Sequence, residues 1–382
     1  MPGGEEFQFN DEFFLDKEEL KLMQTRFARV GFAFHTPDAS ALFERIDAEA
    51  KTAKSGFQRY GLLAVGLALS ALLLAAIEPV FIEPAVHAER LPAICAQGIA
   101  VLAALAGIAA VAVAWLGVGL GTRRQDWLKT RLIAERLRQW QAQYVCAHVP
   151  EILAASHSEQ GKEEYQRKRD DAFKQFKGEH VKQVDARLTP LLEEKRSGAT
   201  PPLWTHHSLE TGARRTLAVA AADEPALDEL FEAFDEIRFR GQVDYIDYMR
   251  GHGRLRSHPR TQHHVLTKAG YGCIIGVLAF DVLVVVGAIF GVTAFQSSIV
   301  HLLAICAALF ALAVRVLEEG LLPSVHVARL EGYLEEISRA QERFRKSTDP
   351  NDKLTQMRAL EESAALEMIG FIRTAASARY VL

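Results

Sequence analysis

The chain is poor in cysteine, and none of what it has suits a disulfide framework. Of four cysteines in 382 residues, Cys95, Cys273 and Cys306 lie within or at the edge of apolar runs and Cys146 stands alone. That usage fits a reducing compartment. A secretory leader is not expected either: the opening MPGGEEFQFNDEFFLDKEEL is acidic and holds no apolar h-region with a small-residue cleavage site. Enzyme signatures are missing as well, with no phosphate-cradling glycine loop, paired CxxC, nucleophile elbow or HExxH. The chain is therefore read as a non-enzyme with no catalytic, cofactor-binding or metal-ligating residues and no cofactor. His206, His207, His252, His258, His263 and His264 are dense, but their spacings match no standard zinc site.

The most informative deficit is charge, because four stretches carry almost none. The whole chain is 49% hydrophobic and 24% charged with a net charge of −4, averages that resemble a soluble protein and conceal segregation. Tyr60 to Ile82, Ile94 to Leu120, Tyr271 to Phe295 and Ile299 to Leu317 are each apolar around the full circumference of a helix. Each approaches or exceeds the roughly 18 apolar residues that cross a bilayer core, and soluble helices rarely stay apolar that long. The expected fold class is all-α: an integral membrane protein with four transmembrane helices in two hairpins and helical cytoplasmic extensions. Its segments are an N-terminal cytoplasmic helical segment (1–59), a first hairpin (60–120), a cytoplasmic helical region (121–269), a second hairpin (270–317) and C-terminal cytoplasmic helices (318–382).

Basic residues set the expected orientation. Lys51, Lys54 and Arg59 precede the first span, Arg123, Arg124, Lys129 and Arg131 follow the second, and Arg254, Arg256, Arg260 and Lys268 precede the third. The connection EPVFIEPAVHAERLPA carries Glu78, Glu83 and Glu89 against Arg90, and its prolines Pro79, Pro84 and Pro92 are expected to break helix. The second connection, around Gln296, Ser297 and Ser298, is uncharged. Both connections belong outside, which places both termini and the central segment in the cytoplasm and the protein, multi-pass, in the inner (cytoplasmic) membrane. The cluster Arg250, Arg254, Arg256, Arg260 and Lys268 reads as a juxtamembrane anchor to anionic lipid, with nucleic acid not expected as a partner.

Small residues recur at a spacing of four in Gly117 and Gly121, Gly272 and Gly276, and Gly287 and Gly291. Such pairs let helix backbones approach closely in lipid and favour a packed bundle or homo-oligomer. Asp281, about eleven residues into the third span, falls near the bilayer midplane. A carboxylate there costs on the order of 3 kcal/mol, so it should face protein or water. Counting back along the antiparallel fourth span puts Arg315 at most about one turn nearer the cytoplasm. Two readings stay open: an ion pair or protonated carboxyl inside the bundle, and a pore-lining group.

The remaining segments read as helix. From Trp127, WLKTRLIAERLRQWQAQYVCAH places Trp127, Ala134, Leu137 and Tyr144 on one face, with Arg131 and Glu135 four apart, and would continue the second span. Ser158 to Arg196 is densely charged and suggests a long exposed or coiled-coil-like helix. SGATPPLWTHH then breaks the chain, a helix follows from about Pro225 to Arg250, and two more run from about Val325 to Phe344 and Lys353 to Ser377 around the turn-prone STDPND.

The hairpin followed by Trp127, Arg131, Ala134, Glu135, Leu137 and Arg138, a W-x3-R-x2-AE-x-LR arrangement, resembles the prokaryotic SLATT group, two-transmembrane effector domains associated with SMODS and SLOG domains, and related uncharacterised prokaryotic membrane families. The later helices are similar too: Tyr333 leads through Phe344 to a last helix with Glu361, Glu362 and Glu367, and Phe371 stands where such proteins carry an aromatic. The resemblance implies a membrane effector of conflict and antiphage systems, oligomeric and pore-forming or membrane-perturbing. Its trigger would be a sensor or nucleotide-signal partner in trans, since no sensor domain is recognisable here. The alternative is a non-conducting scaffold that recruits partners through its charged helices.

Overall fold

A computed structural model of the chain describes residues 14, 17–89, 92–116, 122–181, 184, 188, 225–251, 253, 258–292, 297–378 and 380. Among these residues every regular element is helical and no strand occurs. In chain order the helices are α1 (Lys17–Arg26), α2 (Pro37–Ile77), α3 (Glu83–His87), α4 (Ala93–Ala114), α5 (Thr122–Ala147), α6 (Val149–Ser156), α7 (Glu159–Phe176), α8 (Pro225–Phe234), α9 (Gly241–Arg250), α10 (Pro259–Phe290), α11 (Ser298–Leu321), α12 (Pro323–Lys346) and α13 (Pro350–Ser377). Two compact units emerge. One takes in 1–51, 127–251 and 326–376, the other 52–126, 252–325 and 377–382.

Local chemistry sets the helix boundaries. Helices α2, α10, α12 and α13 begin on Pro37, Pro259, Pro323 and Pro350, where a fixed φ suits the first turn and the missing N–H would have had no partner. Ser158 caps α7, its Oγ accepting from the Gly161 N–H at 3.0 Å. The Asp349 carboxylate accepts the Asn351 N–H at 3.1 Å, so the STDPND turn also caps α13. Gly291, at φ 67°, ends α10 in the left-handed conformation that glycine adopts without strain.

Four helices are long and apolar enough to span a membrane, within Pro37–His87, Ile94–Ala114, Pro259–Phe290 and Ser298–Lys346. They make up most of the second unit. Ile94, Ile108, Val111, Ile289 and Phe290 stand 67–74% exposed, a density of bare apolar surface that suits lipid and not water. Gly107 of α4 lies 3.8 Å, measured from where its Cβ would be, from the Ala71 methyl of α2, and Gly276 of α10 lies equally close to Ala307 of α11. Each hairpin is thus joined through small residues.

The first hairpin turns later than its prolines suggest. Instead of breaking at Pro79, the helix widens into a π-helical turn over Glu78–Ile82 and continues as α3. A proline ring collides with the carbonyl four residues back, and an i to i+5 turn moves that carbonyl aside. The chain leaves helix at Glu89, whose φ is 55°.

The first unit is a helical bundle around α5. Over Arg136–Ala147 that helix is buried on every side, so the single apolar face anticipated from the sequence is only part of its contact surface. Trp140 stacks among Phe173 at 4.9 Å, Tyr144 at 5.2 Å and Phe176 at 5.7 Å. This packing corrects the expected exposed coiled coil. Helix α7 buries Tyr165, Arg169, Phe173 and Phe176, a three-and-four stripe committed to the core, and passes at Lys177 into a π-helical turn that runs to Val181; most of 182–196 lies outside the described residues.

Candidate functional site

The two charges singled out in the spans do not meet. The register that sets Gly276 opposite Ala307 sets Asp281 level with Leu302, some thirteen residues, or about 20 Å, from Arg315. The expectation of a one-turn offset fails because the level of each α11 residue is set by where α10 ends, at Phe290, and α11 begins, at Ser298, and that register carries Arg315 far from the Asp281 level. Arg315 turns instead to its own helix, at 3.1 Å from Glu319 and 3.6 Å from Glu318, with its side chain 68% exposed. Asp281 is exposed, lies about 140° round α10 from Gly276, and forms no ion pair among the described residues. Its carboxylate therefore points away from its hairpin partner.

The glycines divide by role. Gly276 packs on Ala307, and Gly270, outside the predicted pairs, packs on Val314. Gly287 is buried, whereas Gly291 is the α10 terminator and not a packing residue. Gly272 has open space where a Cβ would be. Gly117 and Gly121 lie outside the described residues.

In the helical unit, the predicted returning-helix motif comes together as a charge network. Arg131 bridges Asp47, at 3.5 Å, to Glu135, and Arg138 holds the other Glu135 oxygen at 2.7 Å. Trp127 meets Phe371 edge to face at 6.1 Å between ring centres. The Arg131 and Arg329 guanidinium groups lie 5.7 and 4.9 Å from the centre of the same ring, and Arg329 also pairs with Glu367. Ala134 and Leu137 are fully buried. Burial pulls the Glu135 carboxyl upward, but Arg131 and Arg138, with Arg329 beyond them, outweigh it and hold its pKa below the ordinary value. Glu367 goes the other way: burial raises it, and the Glu135 charge adds to that rise while Arg329 opposes it. Of the other late glutamates, Glu362 is exposed, while Glu361 is sealed against Arg238 with Nε to Oε1 at 2.6 Å and Nη2 to Oε2 at 3.0 Å.

No protein-family model, curated protein or solved structure matches the chain. The network consequently has to be read from its own chemistry. Its charges neutralise one another pairwise and its aromatic ring is already covered by two cations, an arrangement that positions helices α2, α5, α12 and α13 in this unit. Sequence reasoning passed over Asp47, Arg238 and Arg329. Arg238 stands in the charged run DEIRFR, and Asp47 and Arg329 occur in ordinary amphipathic patterns, so none of the three carried a signal in the sequence.

Two other sequence readings change. Arg250, assigned to a lipid anchor, pairs with Asp247 at 3.6 Å and Glu331 at 3.8 Å, so at least part of its charge is engaged by protein. Arg254, Arg256, His206, His207 and His252 lie outside the described residues. Cys146, which stands alone in the sequence, is buried in the core, and burial pushes its thiol well above the ordinary range.

Proposed function

We propose that the chain is a multi-pass membrane effector that assembles as a homo-oligomer and opens a water-filled path when a sensor or nucleotide-signal partner acts on its helical unit. The observation that carries this reading is Asp281. A mid-span carboxylate without an ion-pair partner among the described residues, pointing away from its hairpin, is costly against lipid and tolerable against water or a second copy. Carboxylates that face one another around an axis need solvent or cations between them, which is how acidic rings select cations in pores. The likeness to SLATT-type effectors supports the same reading and suggests a prokaryotic conflict or antiphage setting. Gating then requires a trigger that binds the open arrangement better than the closed one.

The test is ion flux from liposomes containing the purified protein, with and without candidate triggers drawn from neighbouring gene products. Triggered flux should favour cations, and Asp281→Asn should move the reversal potential toward zero without dissociating the oligomer. A strictly monomeric protein that passes no ions under any trigger would leave a non-conducting scaffold as the better account.

The proposed orientation places the helical unit in the cytoplasm, following the basic residues at the span ends. Cys146 is too buried to report on this. The informative positions are Lys168, 69% exposed on α7, and Ala88, exposed beyond α3. With Cys95, Cys273 and Cys306 replaced, a membrane-impermeant maleimide on intact cells should modify Ala88→Cys and spare Lys168→Cys. The opposite pattern would invert the topology.

A further inference from the structure

In the second unit, one aromatic ring occupies a slot cut by two glycines from different hairpins. Tyr380 is 2% exposed. A Cβ added to Gly61 of α2 would fall 2.5 Å from its ring atoms, and one added to Gly320 of α11 would fall 2.2 Å from them, far inside van der Waals contact. Phe57, itself 1% exposed, closes the slot edge-on at 5.5 Å between ring centres. The Arg124 guanidinium donates to the Ala378 carbonyl at 3.3 Å and ties the segment down just before the ring. Gly61 stands at the start of the first span and Gly320 near the end of the fourth, so the ring sits between the two hairpins at one end of them.

The Tyr380 hydroxyl is buried with no hydrogen-bond partner among the described residues, which opposes the packing of the ring. A side chain retained only for burial would do better as phenylalanine. We propose that Tyr380 is a releasable wedge: its ring, seated between Gly61 and Gly320, clamps the two hairpins in their resting arrangement, and its unpaired hydroxyl keeps that clamp weak enough to withdraw. Withdrawal would leave two bare glycine faces, able to close on each other or to part. On the function proposed above, this would be the step that frees the hairpins; the clamp itself does not depend on conduction.

The test measures the hairpins directly, in the full chain in lipid nanodiscs. Spin labels go at Leu63 of α2 and Glu319 of α11, both about half exposed, and their distance distribution is read by double electron–electron resonance. Tyr380→Ala should broaden and shift the distribution. Tyr380→Phe should keep it narrow and lower the population of the separated form by roughly fivefold or more, because the unsatisfied hydroxyl is gone. Gly320→Ala, which expels the ring, should reproduce Tyr380→Ala, and adding it to Tyr380→Ala should change nothing further. An unchanged distribution in Tyr380→Ala would overturn the proposal. So would equal damage from Gly320→Ala with and without the ring, since the glycines would then serve helix contact alone. If Tyr380→Ala does not accumulate, Tyr380→Leu decides on the same criteria. A wedge confirmed by resonance in a protein that never conducts would leave the clamp standing and remove the pore.

Discussion

Arg238→Met should cost the helical unit about 3–5 kcal/mol, the penalty for leaving one partner of a buried pair uncompensated. Arg238 and Glu361 are 1% and 0% exposed and joined by two hydrogen bonds, so the orphaned carboxylate would have no route to water. Thermal unfolding followed by circular dichroism in mild detergent should register the loss as a fall in melting temperature. Arg238→Met with Glu361→Leu should recover most of it, because the hydrophobic pair leaves no charge to desolvate. The deficit must also depend on pH in a definite direction. Burial already raises the Glu361 carboxyl above its ordinary value near 4.5, against the pull of Arg238. With Arg238 gone the folded-state pKa rises further, so the contribution of protonated Glu361 is fully present below about 4.5 and is lost as pH increases through the folded value. Arg238→Met should thus approach wild-type stability in acid and fall away toward neutrality. A deficit of the same size at both ends would mean that lost packing, not charge, is responsible.

Trp140→Ala should be comparably severe, at about 3–5 kcal/mol for removing a fully buried indole, and its effect should spread along α7. The indole is the shared contact of Tyr144, Phe173 and Phe176, and α7 owes its place to that stripe, its outward face being charged. Lys168 and Lys174 are exposed on α7, so limited trypsin digestion should cut there far faster in Trp140→Ala while Trp140→Phe stays near wild type. Unaltered cleavage in the alanine variant would show that α7 is held by something other than the aromatic cluster.

These two expectations rest on residues of opposite legibility. Trp140 lies in a helix that sequence periodicity located well, yet its neighbours on α7 looked like a solvated arm because Glu, Lys, Arg and Asp outnumber the aromatics between them. The three large rings on one stripe, Tyr165, Phe173 and Phe176, bury more apolar area than the charges on the other faces oppose, which makes α7 a core helix despite its composition. Arg238 was hidden in a different way: a guanidinium is tolerated in a core only when a specific carboxylate arrives, and Glu361 arrives from 123 residues away.

The sequence by itself determined the helical class and the four apolar runs, because chain length against bilayer thickness and the lack of charge are local, additive properties. It also located the STDPND turn and the W-x3-R-x2-AE-x-LR group, since these act within one or two helical turns. Only the tertiary structure decided what those groups meet. Whether Asp281 faced Arg315 depended on where α10 turned into α11, and a shift of a few residues at Gly291 moves every level of the hairpin. Whether Gly61 and Gly320 were packing glycines depended on a tyrosine from a distant part of the chain entering between them. Pairings of that kind depend on register, loop closure and the approach of distant segments, none of which a one-dimensional pattern carries.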